Sequence, residues 1–363
     1  MARNHRKNVL VVCAVNGHGG PIASMTSIMK ELHGDFDFTL ATQVHESDAD
    51  STGIERLAKV LIHIPRPRGF AFVRAAWILT RQWRRVKNGV DVLHANGLTE
   101  VAVSLPLLLL TGKPALIWVH NFVKPRPYRL VEPLVRVVGG RWTWRAVSPV
   151  AAELVAGLSP ELLLNPIDAT VVANSRTPSD RLRVLYFAGT DRRAKGFDLL
   201  PEIIRATHSP KVTWIIYAVR SSSDDKDPRT RAWEALVGDL SPNVEIRGRT
   251  SDPRYAYADG DVVLAPSRQE SFNRVIAEGL ANGLPFVASD IEAHQLLAES
   301  TQGGLLFPLT RPQDAGPLID LLAADPVLLG KLRETAVASA SAFDVQVISR
   351  EMASAWTGKS WPA

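Results

Sequence analysis

Short β-branched apolar runs alternate with longer helical patterns almost from end to end, which predicts an α/β protein with parallel sheets. Two further observations make it two open sheets in tandem. At 363 residues the chain exceeds one ordinary hydrophobic core and suits two. Midway, residues 173–183 (ANSRTPSDRLR) interrupt the alternation with Asn, Ser, Pro and Asp, the composition of a linker.

In the first half, strands are expected at 9–15, 38–41, 60–64, 90–95 and 115–120, each a short run rich in Val, Ile, Leu or Phe. The opening 20 residues superficially resemble a charged leader, but the apolar core is short and runs into a glycine loop, so 9–15 reads as a first buried strand. The longest other apolar stretch, 101–110, contains Ser104 and Pro106 and falls far short of the ~20 residues that span a bilayer. Past the linker, strands are expected at 184–188, 212–217, 244–247, 262–265 and 285–288, and 345–356 is a final helical pattern.

Composition narrows the chemistry. Hydrophobic residues at 46% and charged residues at 22% are those of a globular protein. Cys13 is the only cysteine, which excludes an internal disulfide and a multi-cysteine zinc site and fits a reducing cytoplasm. The net charge of +5 is unevenly spread: through Thr170 there are 20 Lys and Arg against 13 Asp and Glu, then 22 against 24. Residues 66–89 hold seven basic residues and no acid, a patch suited to an anionic surface or ligand.

In open parallel sheets, ligands bind beyond the carboxyl ends of the strands, so the loops there are the candidates for chemistry. The first is Asn16-Gly17-His18-Gly19-Gly20-Pro21, where glycines before a helical pattern either admit a phosphate or simply make a turn. It lacks the third glycine of the dinucleotide fingerprint. The second, residues 187–198, carries Arg192, Arg193 and Lys195 between a strand and a helix: either a diphosphate site or a solvated basic loop. The third is the most informative. Residues 266–288 follow a strand, open a helix near Asn273 and place Glu270 in the loop and Glu278 on the second helical turn. Carboxylates among buried-looking apolar residues favour specific hydroxyl or cation partners.

This third segment resembles the donor motif of the retaining nucleotide-sugar glycosyltransferases of family 4. Pro266-Ser267, then Glu270, seven residues, Glu278 and Ala281-x-Gly283-x-Pro285 are similar to that family's Glu-x7-Glu motif and its flanks. Asn165-Pro166-Ile167-Asp168 and Lys195-Gly196 resemble two more of its segments, as do the Gly19-Gly20 loop and His120 more loosely.

The resemblance implies GT-B architecture: two facing Rossmann-like domains with an interdomain cleft. They would comprise 1–172 with a crossover helix from 344–363, the linker 173–183, and 184–343 for the donor. It implies that Glu270 binds the donor sugar and Glu278 the ribose. Phe272, Asn273 and Arg274 would offer backbone N–H groups to the diphosphate, as would Lys195 with its charge. His120 would touch the sugar near the transferred centre, although a histidine at a strand end is also a common structural hydrogen bonder. The turn Arg247-Gly248-Arg249-Thr250 corresponds to the base-binding turn. Three departures bear on donor identity and activity: Thr190 replaces an arginine, Ser271 and Asn273 replace glycines, and Gln295 stands where a glutamate is common.

The implied activity is hexosyl transfer from a nucleotide diphosphate sugar to a glycan or lipid-linked acceptor, with retention and without metal or cofactor, in cell-envelope or polysaccharide synthesis. Asp224-Asp225 reads as solvated. The segment 70–87 sets Phe72, Trp77, Ile78, Leu79 and Trp83 among arginines: it suits an anionic bilayer at the inner face of the membrane, or a helix that merely covers the first sheet. No nucleic-acid motif accompanies the charge. A nucleotide-sugar epimerase and a non-catalytic sugar-nucleotide-binding subunit are the alternatives.

Overall fold

A computed structural model describes residues 6–14, 20–43, 53–67, 70–168, 180–188, 193–217, 239, 243–248 and 253–359. The chain divides into two compact units, Met1–Pro166 with Asp344–Ala363, and Ile167–Phe343. Residues 173–179 of the expected linker lie outside the described residues, and its last two residues open the strand Leu182–Phe187.

The first unit holds seven parallel strands: β1 (Lys7–Cys13), β2 (Phe36–Thr42), β3 (Val60–His63), β4 (Val92–Ala95), β5 (Ala115–Val119), β6 (Thr143–Ala146) and β7 (Glu161–Leu162), in the order β3-β2-β1-β4-β5-β6-β7. Sequence reasoning missed β6 and β7. The first reads Thr-Trp-Arg-Ala with only alternate residues buried, and the second is two exposed residues, so neither shows an apolar run. The helices are α1 (Gly20–Glu31), α2 (Ala71–Val86), α3 (Leu98–Leu110), α4 (Arg126–Val138) and the short α5 (Pro149–Glu153). The apolar run at 101–110 is α3, which packs against both α2 and α4 and is buried along almost its whole length.

The C-terminal helix Val345–Thr357 packs on α1. Its anchor is Trp356, fully buried, set edge-on to Phe36 (5.3 Å) and Phe38 (6.0 Å) from β2. The indole N–H donates to Nδ1 of the buried His94 on β4 (3.1 Å). Burial lowers the His94 pKa to about 4 and keeps the ring neutral, as an acceptor must be.

The second unit holds six parallel strands: β8 (Leu182–Phe187), β9 (Val212–Tyr217), β10 (Val244–Arg247), β11 (Val262–Ala265), β12 (Phe286–Ser289) and β13 (Gly304–Phe307), in the order β10-β9-β8-β11-β12-β13. The missed strand β13 begins at Gly304, where a side chain would strike the Phe286 ring, so the residue that weakens the strand signal is required by packing. The described helices are α6 (Leu200–Arg205), α7 (Pro253–Ala258), α8 (Arg274–Ala281), α9 (Glu292–Thr301), α10 (Ala315–Ala324) and α11 (Pro326–Ser339). Strands β8, β9 and β11 contribute Val184, Tyr186, Trp214, Ile216 and Leu264 to a core that α6 and α10 close with Ile203, Ile204 and Ile319.

Candidate functional site

The fully buried β11 ends at Ala265, and the chain turns through Pro266 and Ser267 into the loop that bears Glu270. Asn273 caps the following helix: its Oδ1 accepts from the Ile276 N–H (3.4 Å), so α8 begins at Arg274. The first-turn N–H groups of α8 lack intrahelical acceptors and carry the positive end of the helix dipole, an arrangement suited to an anion.

The loop at 193–198 is fastened to this one. Arg268 N donates to Ala194 O (2.7 Å), and the Arg268 guanidinium grips the Asp198 carboxylate with two hydrogen bonds. Gly196 makes the close approach possible: at φ +69° it occupies the left-handed region, and a Cβ there would lie 2.0 Å from Pro266 O. Lys195 is thereby set against Glu270, Nζ to Oε1 at 2.5 Å, with both side chains largely shielded from water. Ser267 Oγ donates to the same carboxylate oxygen (2.9 Å).

Glu278 is the better-braced carboxylate. Arg274, one helical turn earlier, reaches Oε1 (3.0 Å), and the buried Tyr257 hydroxyl donates to Oε2 (2.9 Å). Burial and the Glu278 charge raise the Tyr257 pKa well above its usual value, so the phenol stays a donor. Tyr257 packs on Phe187 (5.1 Å), which stacks on Tyr217 (5.0 Å). Arg247 closes this aromatic row, bonded to the Tyr217 hydroxyl (3.0 Å) and paired with Asp259 (2.6 Å) and Glu245.

In the second unit, then, the residues singled out by sequence come together as two groups on one loop-helix segment: Lys195 with Glu270, and Arg274 with Glu278. Phe272 is buried, its ring edge-on to Phe343 (5.7 Å). Arg193 is exposed. Arg192, Arg249 and Thr190 lie outside the described residues, as does Asp224-Asp225. Gln295 is exposed and its amide holds Asp290 (2.7 Å). Sequence reasoning missed Ser267, Tyr257, Ser289 and His294 as partners of the site; their only signal was polarity at strand ends and beside the motif.

In the first unit, His120 follows β5, its ring edge-on to Trp118 (4.2 Å). Its Nε2 bonds Asn96 Oδ1 (3.2 Å), so Nε2 carries the proton, and Asn96 in turn donates to Pro21 O beside Gly20. Gly20 opens α1, while Gly19 lies outside the described residues. The buried Glu100 on α3 accepts from the Ala14 N–H (3.0 Å). Among the described residues no group of three or more His, Cys, Asp or Glu could hold a metal ion.

Residues 181–324, which span the second sheet and both loops, match the glycosyl transferases group 1 family. A D-inositol 3-phosphate glycosyltransferase of Arthrobacter sp. (strain FB24) is 25% identical over 285 residues, 70% of this chain and 68% of the relative. A phosphatidyl-myo-inositol mannosyltransferase of Mycobacterium tuberculosis (strain CDC 1551 / Oshkosh) is 26% identical over 289 residues, 72% of each chain. Among solved structures, Anabaena Alr3699/HepE in complex with UDP is similar with a TM-score of 0.80 at 18% identity, over 97% of this chain and 100% of that one. Sucrose-phosphate synthase (tll1590) of Thermosynechococcus elongatus gives 0.77 at 19% identity, over 97% and 99%. Beside two parallel-sheet units and the two carboxylates of one loop-helix segment, these likenesses show the GT-B fold and support a glycosyltransferase of the family 4 kind.

Proposed function

We propose that the protein moves a hexosyl group from a nucleoside diphosphate sugar to a glycan or lipid-linked acceptor, with retention of configuration and without a metal. The observation that carries this reading is the Lys195–Glu270 pair beside the N-terminus of α8. As the sugar–phosphate bond breaks, negative charge grows on the phosphate oxygen while the anomeric carbon becomes cationic. Lys195 and the α8 N–H groups stabilise the first charge, and Glu270 holds the sugar hydroxyls so that the anomeric carbon faces the acceptor. Positive charge from these groups takes the place a metal would otherwise fill. The acceptor oxygen attacks from the face the diphosphate leaves, its proton passing to the departing phosphate oxygen. Glu278 anchors the ribose, and for His120 a contact with a sugar hydroxyl is supported by the family resemblance alone.

The donor carries UDP in this reading, since HepE binds UDP and glucose. The names of the inositol phosphate and phosphatidylinositol relatives support a phosphate-bearing or lipid acceptor and a role in cell-envelope or polysaccharide synthesis. Contact with an anionic membrane through 66–87, at its cytoplasmic face, is supported by the outer side of α2. Phe70 is 71% and Trp77 60% exposed, with Arg126 over the first ring and Arg81 over the second. The opposite side, with Phe72, Ala75 and Leu79, is buried, so α2 both packs on α3 and presents an aromatic, basic face. No described helix is long and apolar enough to cross a membrane.

Heating the protein with UDP-, GDP- and ADP-sugars tests the donor: one class should raise the melting temperature. Nucleotide release that requires an acceptor then separates transfer from epimerisation. No stabilisation by any nucleotide sugar would overturn the donor assignment. For the membrane, Trp77→Glu should abolish cosedimentation with phosphatidylglycerol vesicles; retained binding counts against α2.

A further inference from the structure

The departure at Asn273 has a buried counterpart on the next helix. Asn273 Nδ2 lies 2.9 Å from Nε2 of His294, which is fully buried in the first turn of α9. The other ring nitrogen, Nδ1, lies 2.8 Å from the Ser289 carbonyl at the end of β12. A carbonyl can only accept, so Nδ1 carries the proton and Nε2 accepts from the Asn273 amide. The ring is therefore neutral with a fixed tautomer, consistent with burial lowering its pKa to about 4. Ser289 Oγ donates to Ser267 O (2.5 Å), and Ser267 Oγ donates to Glu270. The carboxylate and the end of α8 thus hang on one buried chain: Asn273, His294, Ser289, Ser267, Glu270.

We propose that His294 is a positioning residue of the donor site, whose neutral imidazole fixes the cap of α8 and the Glu270 loop relative to each other. This rests on the donor-site reading above and deepens it. The family 4 motif commonly has glycine at the position of Asn273, a residue that offers an imidazole nothing to bind. Here Asn273 and His294 act as a matched pair, and the departure keeps the helix end in place rather than marking a degenerate site. His294 need touch no ligand; it sets where two ligand-binding groups stand.

The first test is spectroscopic and independent of donor. In ¹⁵N spectra of the full-length protein at pH 7, the His294 ring should appear as the neutral Nδ1–H tautomer; an Nε2–H or charged ring overturns the proposal. The second is kinetic, with release of UDP, GDP or ADP from the matching glucose conjugate as readout. His294→Ala should lower turnover about 10- to 100-fold. The loss should lie mainly in kcat, because Lys195 and Glu278 still grip the nucleotide.

His294→Asn keeps a donor for Ser289 O but cannot reach Asn273, and should lose comparably while melting close to wild type. Asn273→Gly with His294→Ala should be no worse than His294→Ala alone, as expected when two residues act through one contact. Folded His294 variants that turn over like wild type, or a double variant that multiplies the two losses, would overturn the pairing. A wild-type protein that binds none of the three nucleotides instead overturns the donor reading, and the tautomer measurement still decides the geometry.

Discussion

The carboxyl ends of the two sheets are built from different chemistry. In the second unit the groups there are charged and paired: Lys195 with Glu270, Arg274 with Glu278, Arg268 with Asp198 and Arg247 with Asp259. In the first unit the sheet end presents an imidazole on an amide, His120 on Asn96, with the buried Glu100 taking a backbone N–H. The difference teaches a division of labour. Pre-set cations with carboxylate partners can receive a diphosphate by exchanging one anion for another, without exposing an unpaired buried charge. An imidazole and an amide suit hydroxyls. In this reading the charge work falls to the second unit.

Glu270→Gln tests that asymmetry most severely. It preserves shape and one hydrogen-bonding oxygen but leaves Lys195 without its partner, and should lower turnover about 1000-fold. His120→Asn should cost about ten-fold less. A reversed order, read from nucleotide release under saturating donor, would mean that the first unit carries the larger share.

Stability should divide along the same line. Trp356→Ala removes an indole fully buried against Phe36, Phe38 and His94 in the first unit and should cost about 4 kcal/mol. Urea unfolding should show an early transition for that unit only, while nucleotide still raises the melting temperature of the second. Loss of both transitions together would show that the units do not fold independently.

What could be read in advance follows the same contrast. Strands β9 and β11 carry uninterrupted apolar or β-branched signals and β10 an alternating Val-Glu-Ile-Arg one, and the structure places all three at the expected residues. Strands β6, β7 and β13 did not announce themselves, because Arg145, Glu161 and Gly304 dilute the pattern that burial usually writes. At the site, Glu270, Glu278 and Lys195 were legible as charges at strand ends and in a motif. Their supports were not. His294 sits 24 residues beyond Glu270, and Tyr257 21 before Glu278; only the sheet brings them together. A hydrogen-bond partner supplied by another helix leaves no local trace.

His94 and His294, both without exposed surface, offer a comparison of the units under one variable. Free histidine titrates near 6.5, whereas His94 in the first unit and His294 in the second are each lowered to about 4 by burial. As pH falls from 6.5 towards 4, the unfolded chain binds protons that the folded units refuse, so stability is lost across that window and flattens below it. Each ring should cost about 2 kcal/mol by pH 5. Urea titrations between pH 7 and 4.5 should show parallel slopes for the two units, and His94→Gln should flatten the first unit's slope alone. A slope insensitive to that change would mean that another group controls acid unfolding there.

The smallest effect separates the two carboxylates within the second unit. Tyr257→Phe keeps the ring on Phe187 and removes only the hydroxyl that holds Glu278 Oε2, leaving Arg274 as its brace. A neutral-to-charged hydrogen bond of this kind contributes about 1.5 kcal/mol net, so UDP should bind about ten-fold more weakly. If Glu278 serves the ribose and Glu270 the sugar, kcat at saturating donor stays at the wild-type value, because the lost contact acts equally before and during bond breaking. A fall in kcat instead, without a change in UDP affinity, would place Glu278 on the reacting sugar and remove the distinction between the pair.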